Sequence, residues 1–193
     1  FSEREEKFAR VSDDGKDSIE CLRYHHRQQQ ACGTLTFAIN NSKRHNITGI
    51  ILISDKNSSY SKNAEKIIWN LQIMSMLNTI QGIPSRSKVK VRCSITITGL
   101  SDIHKSIKIV NFHFINSSII LVKSLDIIFK DILFTSGSSI EKRPSYLDYN
   151  SILQSMHLKI TIMNCKFHVS NYKNVINTFN FVNCYSLHLV VNN

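Results

Sequence analysis

One short pattern recurs through the second half of the chain and constrains the fold more than anything else in it. Ile107-Lys108-Ile109-Val110-Asn111-Phe112-His113-Phe114 is the clearest copy. Ile127-Ile128-Phe129-Lys130-Asp131-Ile132-Leu133-Phe134 and Ile160-Thr161-Ile162-Met163-Asn164-Cys165-Lys166-Phe167 repeat it, and Phe179-Asn180-Phe181-Val182-Asn183-Cys184-Tyr185-Ser186 is a degenerate fourth copy. The Asn or Asp positions 111, 131, 164 and 183 are separated by 20, 33 and 19 residues, the long step holding a polar stretch at 136–149. A recurrence of about 20 residues marks stacked structural repeats. Within each copy the apolar residues alternate, which is the period of a strand and not of a helix. Ile and Phe suit strands, and Asn or Asp tolerates the backbone of tight turns.

These properties predict an all-β chain built as a right-handed parallel β-helix, a solenoid in which one strand, one turn and one return segment make a layer. Stacking then sets Ile107, Ile127, Ile160 and Phe179 in one inward column, and Ile109, Phe129, Ile162 and Phe181 in the next. Phe114, Phe134 and Phe167 form a third column beyond the turn, and Asn111, Asp131, Asn164 and Asn183 form a turn ladder whose side chains bond to turn backbone. The competing architecture is an ordinary sandwich of similar strands. A layer cannot bury its apolar face alone, so stacking supplies the stability and the open end needs a cap.

The chain divides accordingly. Residues 1–18 are polar and read as a flexible lead-in with a turn at Asp13-Asp14-Gly15-Lys16. Residues 19–45 read as an N-terminal capping segment in which Cys21 and Cys32 bracket a polar loop and Thr34–Ile39 starts a helical or capping turn. Residues 46–193 read as the layers, with strands at Ile47–Ile53 and Ile67–Ile73 and alternation at Val89, Val91 and Cys93. A metal site from Cys21, His25 or His26, and Cys32 fits no zinc spacing, so a bridge or free thiols is the better reading; a bridge would constrain the unfolded chain. Cys165-x-x-His168 and Cys184-x-x-x-His188 likewise fit stacked small residues better than a zinc site. A Cys165–Cys184 bridge is geometrically allowed between adjacent layers.

Ser18-Ile19-Glu20-Cys21, then Ala31-Cys32-Gly33-Thr34-Leu35-Thr36-Phe37-Ala38-Ile39, then Trp69-Asn70-Leu71-Gln72-Ile73, Val91-Arg92-Cys93 and the Phe-ended units together resemble large right-handed parallel β-helix proteins of marine invertebrates, which are similar to pectin-lyase-like repeats of extracellular or cell-surface proteins. The resemblance runs from about Val11 onward, and in that pattern a Cys pair precedes a Thr-Leu-x-x-Ala segment. It implies surroundings outside the cell and no particular chemistry. Thr135-Ser136-Gly137 stands where such chains often carry Cys-Gly.

With 42% hydrophobic residues the chain is not compositionally disordered, and no run is long enough to cross a bilayer as a helix. The net charge of +10 is spread along the chain and favours anionic partners. Its sharpest local expression is Arg86, Lys88, Lys90 and Arg92, which alternate with Ser87, Val89 and Val91 and so share one strand face. This stripe is the candidate polyanion- or glycan-binding site; a solvated face that discourages edge pairing is the plainer reading. Nucleic acid is not expected, because no aromatic platform interleaves with the cations. No cofactor, metal site or catalytic residue is assigned. A polysaccharide-active lyase or hydrolase is the alternative function, and it requires paired carboxylates on one outer face; Asp102, Asp126, Asp131, Glu141 and Asp148 are the acids on offer. The primary expectation is a scaffold or adhesion domain that contacts anionic polysaccharide or other surface proteins. Glycosylation sequons occur at Asn40, Asn46, Asn57 and Asn116.

Overall fold

The structure, a computed structural model, describes residues 7–23, 30–54, 59–62, 64–69, 77–83, 88–99, 106–122, 125–135, 137–143, 157–167, 179–181 and 186–192. These residues are mostly strand, and every strand pairing among them is parallel.

Sheet A contains seven strands in the order β1 (Phe8–Val11), β2 (Gly49–Ile53), β4 (Thr79–Ile83), β7 (Ile107–Val110), β10 (Leu125–Lys130), β13 (His157–Met163) and β16 (Ser186–Asn192). Sheet B runs through β5 (Val89–Val91), β8 (Phe112–Ile115), β11 (Leu133–Thr135) and β14 (Lys166–Phe167). Sheet C runs through β3 (Glu65–Trp69), β6 (Ile95–Gly99), β9 (Ser118–Val122), β12 (Ser139–Arg143) and β15 (Phe179–Phe181). From β4 onward the chain visits A, B and C in strict rotation, and each strand after β5 pairs with the strand laid down one cycle earlier.

Each of three A-to-B corners turns on one left-handed residue. Asn111, Asp131 and Asn164 stand there at φ of 63°, 55° and 49°. The left-handed region is costly for most side chains, and Asn and Asp are the residues that enter it most readily. The ladder is tied along its length. The Asn111 amide N–H donates to the Lys130 carbonyl at 3.0 Å, and that of Asp131 to the Met163 carbonyl at 3.0 Å. Asn111 Nδ2 donates to the Gly82 carbonyl at 2.9 Å, and Asn164 Nδ2 donates to Asp131 Oδ1. Gly82 fits here because a Cβ would come within 2.5 Å of the Asn111 carbonyl oxygen.

Alternation in each strand sends one set of side chains into a common core. Ile107, Ile127 and Ile160 are in register in sheet A, as are Ile109, Phe129 and Ile162, and all six are buried. In sheet B the rings of Phe114 and Phe134 stack with centroids 5.4 Å apart, and those of Phe134 and Phe167 at 4.8 Å with parallel planes.

Three expectations need correction. Phe179 and Phe181 do not continue the sheet A columns: Phe179 pairs with Ile140 in sheet C, and Leu189 and Val191 of β16 follow Ile160 and Ile162. The degenerate copy misleads because strands of sheet C, such as Ile95–Gly99, carry the same apolar alternation as strands of sheet A, such as Ile107–Val110. The lead-in 1–18 contains β1, whose Ala9 and Val11 are fully buried beside β2. The polar stretch 136–149 contains β12, in which Ile140 alone carries the burial signal among polar neighbours. Asn183 lies outside the described residues.

Phe134 lies between two rings and is 2 % exposed. Phe134→Ala is expected to destabilise the protein by about 3–5 kcal/mol, the usual cost of removing a buried aromatic ring. A urea-unfolding midpoint unchanged from wild type would show that this column does not carry the core.

Candidate functional site

Two places come first, the end that carries α1 and the outer faces beside the A–B corner. At the capped end, helix α1 (Leu35–Asn40) packs on β1, β2 and β3. Thr34 is its N-cap, the hydroxyl accepting from the Phe37 amide at 3.1 Å. The segment Thr34-Leu35-Thr36-Phe37 has no acid at the position from which a capping box reaches back. The remaining N-terminal amides are satisfied from a distance. Glu65, the first residue of β3 and 3 % exposed, accepts from the Leu35 amide at 3.0 Å through Oε1 and from the Thr36 amide at 3.0 Å through Oε2. The Thr36 and Tyr60 hydroxyls also donate to this carboxylate. Burying a carboxylate costs several kcal/mol unless donors surround it, and these donors are charge-assisted. Asp17 completes the attachment, accepting from the Gly33 amide at 2.8 Å, the Thr34 amide at 2.9 Å and the Thr34 hydroxyl at 2.8 Å. Cys21 and Cys32 form a disulfide with Cα atoms 5.1 Å apart, which ties a 3₁₀ turn at Ile19–Leu22 to this end.

Cys93 and Tyr60 lie under the cap, both buried, and Cys93 is a free thiol. Burial, and then the Glu65 charge, pushes the Cys93 thiol up to about 12. Burial and the bond to Glu65 likewise push the Tyr60 phenol above its ordinary value. Cys165, half-buried and also free, takes the inward place after the ladder that Phe112 and Ile132 fill in earlier cycles. Burial raises its thiol too. These groups are held in their neutral forms, which is the behaviour of packing residues and not of nucleophiles.

The predicted stripe is partly reassigned. Arg86 lies outside the described residues. Lys88 reaches along the corner, its Nζ donating to the Asp131 carbonyl, so it serves the ladder as well as the surface. Lys90 is flanked by buried Val89 and Val91 and faces outward from β5. Arg92 is exposed, while its amide N–H donates to the Tyr60 carbonyl at 2.8 Å. Strand register adds residues the sequence reading missed. His113 stands opposite Lys90, Leu133 opposite His113, and Lys166 opposite Leu133. Lys90 and Lys166, 76 positions apart in sequence, therefore share one outward column three strand spacings long, about 14 Å. Across the corner, exposed Lys108 and Lys130 lie on the outer face of sheet A. The signal for Lys166 and Lys130 was present in the repeat itself, since each sits two residues after or one before a ladder residue and so on an outward position.

The three described acids of the repeat region lie apart. Asp126 is on sheet A opposite Lys159, Asp131 is in the ladder, and Glu141 is on sheet C, where its Oε1 accepts from the Ser139 hydroxyl at 2.8 Å. Asp102, Asp148, His168 and Cys184 lie outside the described residues. Among the described residues no group of three or more His, Cys, Asp or Glu is placed to hold a metal ion, and no helix is long and apolar enough to cross a membrane. No protein-family profile, curated protein or solved structure matches the chain.

Two outcomes follow from the cap. Glu65→Gln replaces one acceptor oxygen with an amide that faces a donor, so a loss of about 1–3 kcal/mol is expected from the buried mismatch; an unshifted thermal midpoint would contradict the attachment described. Cys93 should resist alkylation at pH 8 in the native protein and react once it unfolds. The unfolded thiol ionises near its ordinary value of 9.0 and the folded one only near about 12, so the unfolded chain loses its proton first. The Cys93 contribution to stability is therefore full below pH 9 and lost as pH rises toward 12. Rapid native labelling at pH 8 would show the thiol to be open to solvent.

Proposed function

We propose that the three sheets are the faces of a right-handed parallel β-helix and that this domain is an extracellular or cell-surface scaffold whose basic outer face contacts anionic glycans. The strict rotation through three sheets, with parallel pairing at every step, supports the solenoid, and the strong right-handed bias of parallel crossovers supports its hand. The Cys21–Cys32 disulfide supports an oxidising compartment, in line with the resemblance to extracellular β-helix repeat proteins.

The observation that carries the binding reading is the outward column that register builds from Lys90, His113 and Lys166, with Arg92 exposed beside it. These side chains come from different cycles, and the backbone holds them at fixed spacing. A flexible basic tail offers charge without spacing; this surface offers both, which suits an extended polyanion. The wide distribution of the described acids gives the lyase or hydrolase alternative no comparable support.

Retention on a heparin column tests the proposal. Lys90→Ala/Arg92→Ala should elute at distinctly lower salt than wild type, because exposed charges act within a screening length of about 8 Å at physiological ionic strength. Lys88 is left intact, since its bond to Asp131 makes Lys88→Ala a change in fold as well as in charge. Identical elution of the double variant and wild type would reduce the stripe to a solvated face.

A further inference from the structure

The asparagines whose side chains the structure describes are sorted by what those side chains do; outside the Asn-x-Ser/Thr triplets, Asn78 accepts from the Thr79 hydroxyl at 2.8 Å. Asn41 donates to the Phe37 carbonyl at 2.9 Å, Asn111 to the Gly82 carbonyl at 2.9 Å, and Asn164 to Asp131. None of these begins an Asn-x-Ser/Thr triplet. The described asparagines that do begin one are Asn40, Asn46 and Asn116, and all three are exposed. Among the described residues their side-chain amides have no hydrogen-bond partner. Among the described side chains, the fold thus uses the amides that lie outside the triplets and leaves those inside them to solvent.

Asn46 and Asn116 share a second property. Each ends a local element in the left-handed region, at φ of 56° and 50°, and each is followed by a buried residue, Ile47 or Ser117. The turn directs the amide outward while the next side chain anchors the backbone. Asn116 sits between β8 and β9, at the opposite end of β8 from the ladder. Its neighbour one cycle on is Gly137, itself at φ of 73°. Asn40 is exposed too, but it is the last residue of α1.

We infer that Asn46 and Asn116 are N-glycan attachment sites, an inference that rests on the extracellular reading above. In the transfer, Nδ2 of each asparagine bonds to the anomeric carbon of an oligosaccharide carried on a polyprenyl diphosphate. The sugar–phosphate C–O bond breaks, the lipid diphosphate leaves, and the amide proton passes to a base of the transferase. Both positions accept a bulky polar substituent without loss of any contact described here.

The test is secretion of the full chain from a eukaryotic host in an Asn40→Gln/Asn57→Gln background, so that only these two sites are read. Two glycosidase-sensitive glycans are expected, with Asn46→Asp and Asn116→Asp each removing one. Asp is chosen because it tolerates the left-handed backbone. Secreted protein with Cys21 and Cys32 bridged and no glycan at either site overturns the inference and leaves the extracellular reading standing. A glycan at one site alone overturns the assignment at the other. A chain retained in the cell with both thiols free overturns the extracellular reading itself.

Discussion

The structure depends on one left-handed residue placed directly after a strand of sheet A. Asn111 follows β7, Asp131 follows β10 and Asn164 follows β13. The next strand of sheet B begins one or two residues on, at Phe112, Leu133 and Lys166, so the register of sheet A sets the register of sheet B. Because a one-residue slip would turn every side chain to the other face, the corner also decides which residues are core. The ladder's own bonds, from backbone and side chain to the neighbouring cycle, make each corner a template for the next.

The same economy explains how the surface acquires its pattern. Outward positions are not constrained by the core, so Lys90, His113, Leu133 and Lys166 differ in type while sharing one column. The stack fixes their spacing whatever they are. The start of α1 follows the opposite logic: Asp17 and Glu65 are committed to the amides there. One end of the domain is closed by buried hydrogen bonds, and its sides are available for contact.

Much of the architecture was legible because the ladder residues recur and the apolar alternation around them is clean. The columns Ile107–Ile127–Ile160 and Phe114–Phe134–Phe167 follow directly from that pattern. The sheet that receives Phe179 was not legible, since a strand of sheet C and a strand of sheet A carry the same residue types. β1 was hidden because four residues with charged neighbours give too short a period to detect. The Glu65 attachment was out of reach for a different reason: the amides of α1 announce that an acceptor is missing nearby, but nothing local identifies one 29 or 30 positions away. Similarly, four alternating cations in one segment were visible, whereas their alignment with His113 and Lys166 exists only once the cycles are stacked.

Within each sheet a strand pairs only with its neighbours, so an end strand can open while the rest holds. Lys88 departs from that scheme. It sits at the start of β5, and its ammonium bonds to the Asp131 carbonyl beyond the intervening corner at Asn111. It thereby joins second neighbours. Opening the corner that contains Asp131 must therefore also release Lys88, a bond that no strand pairing between neighbouring cycles supplies.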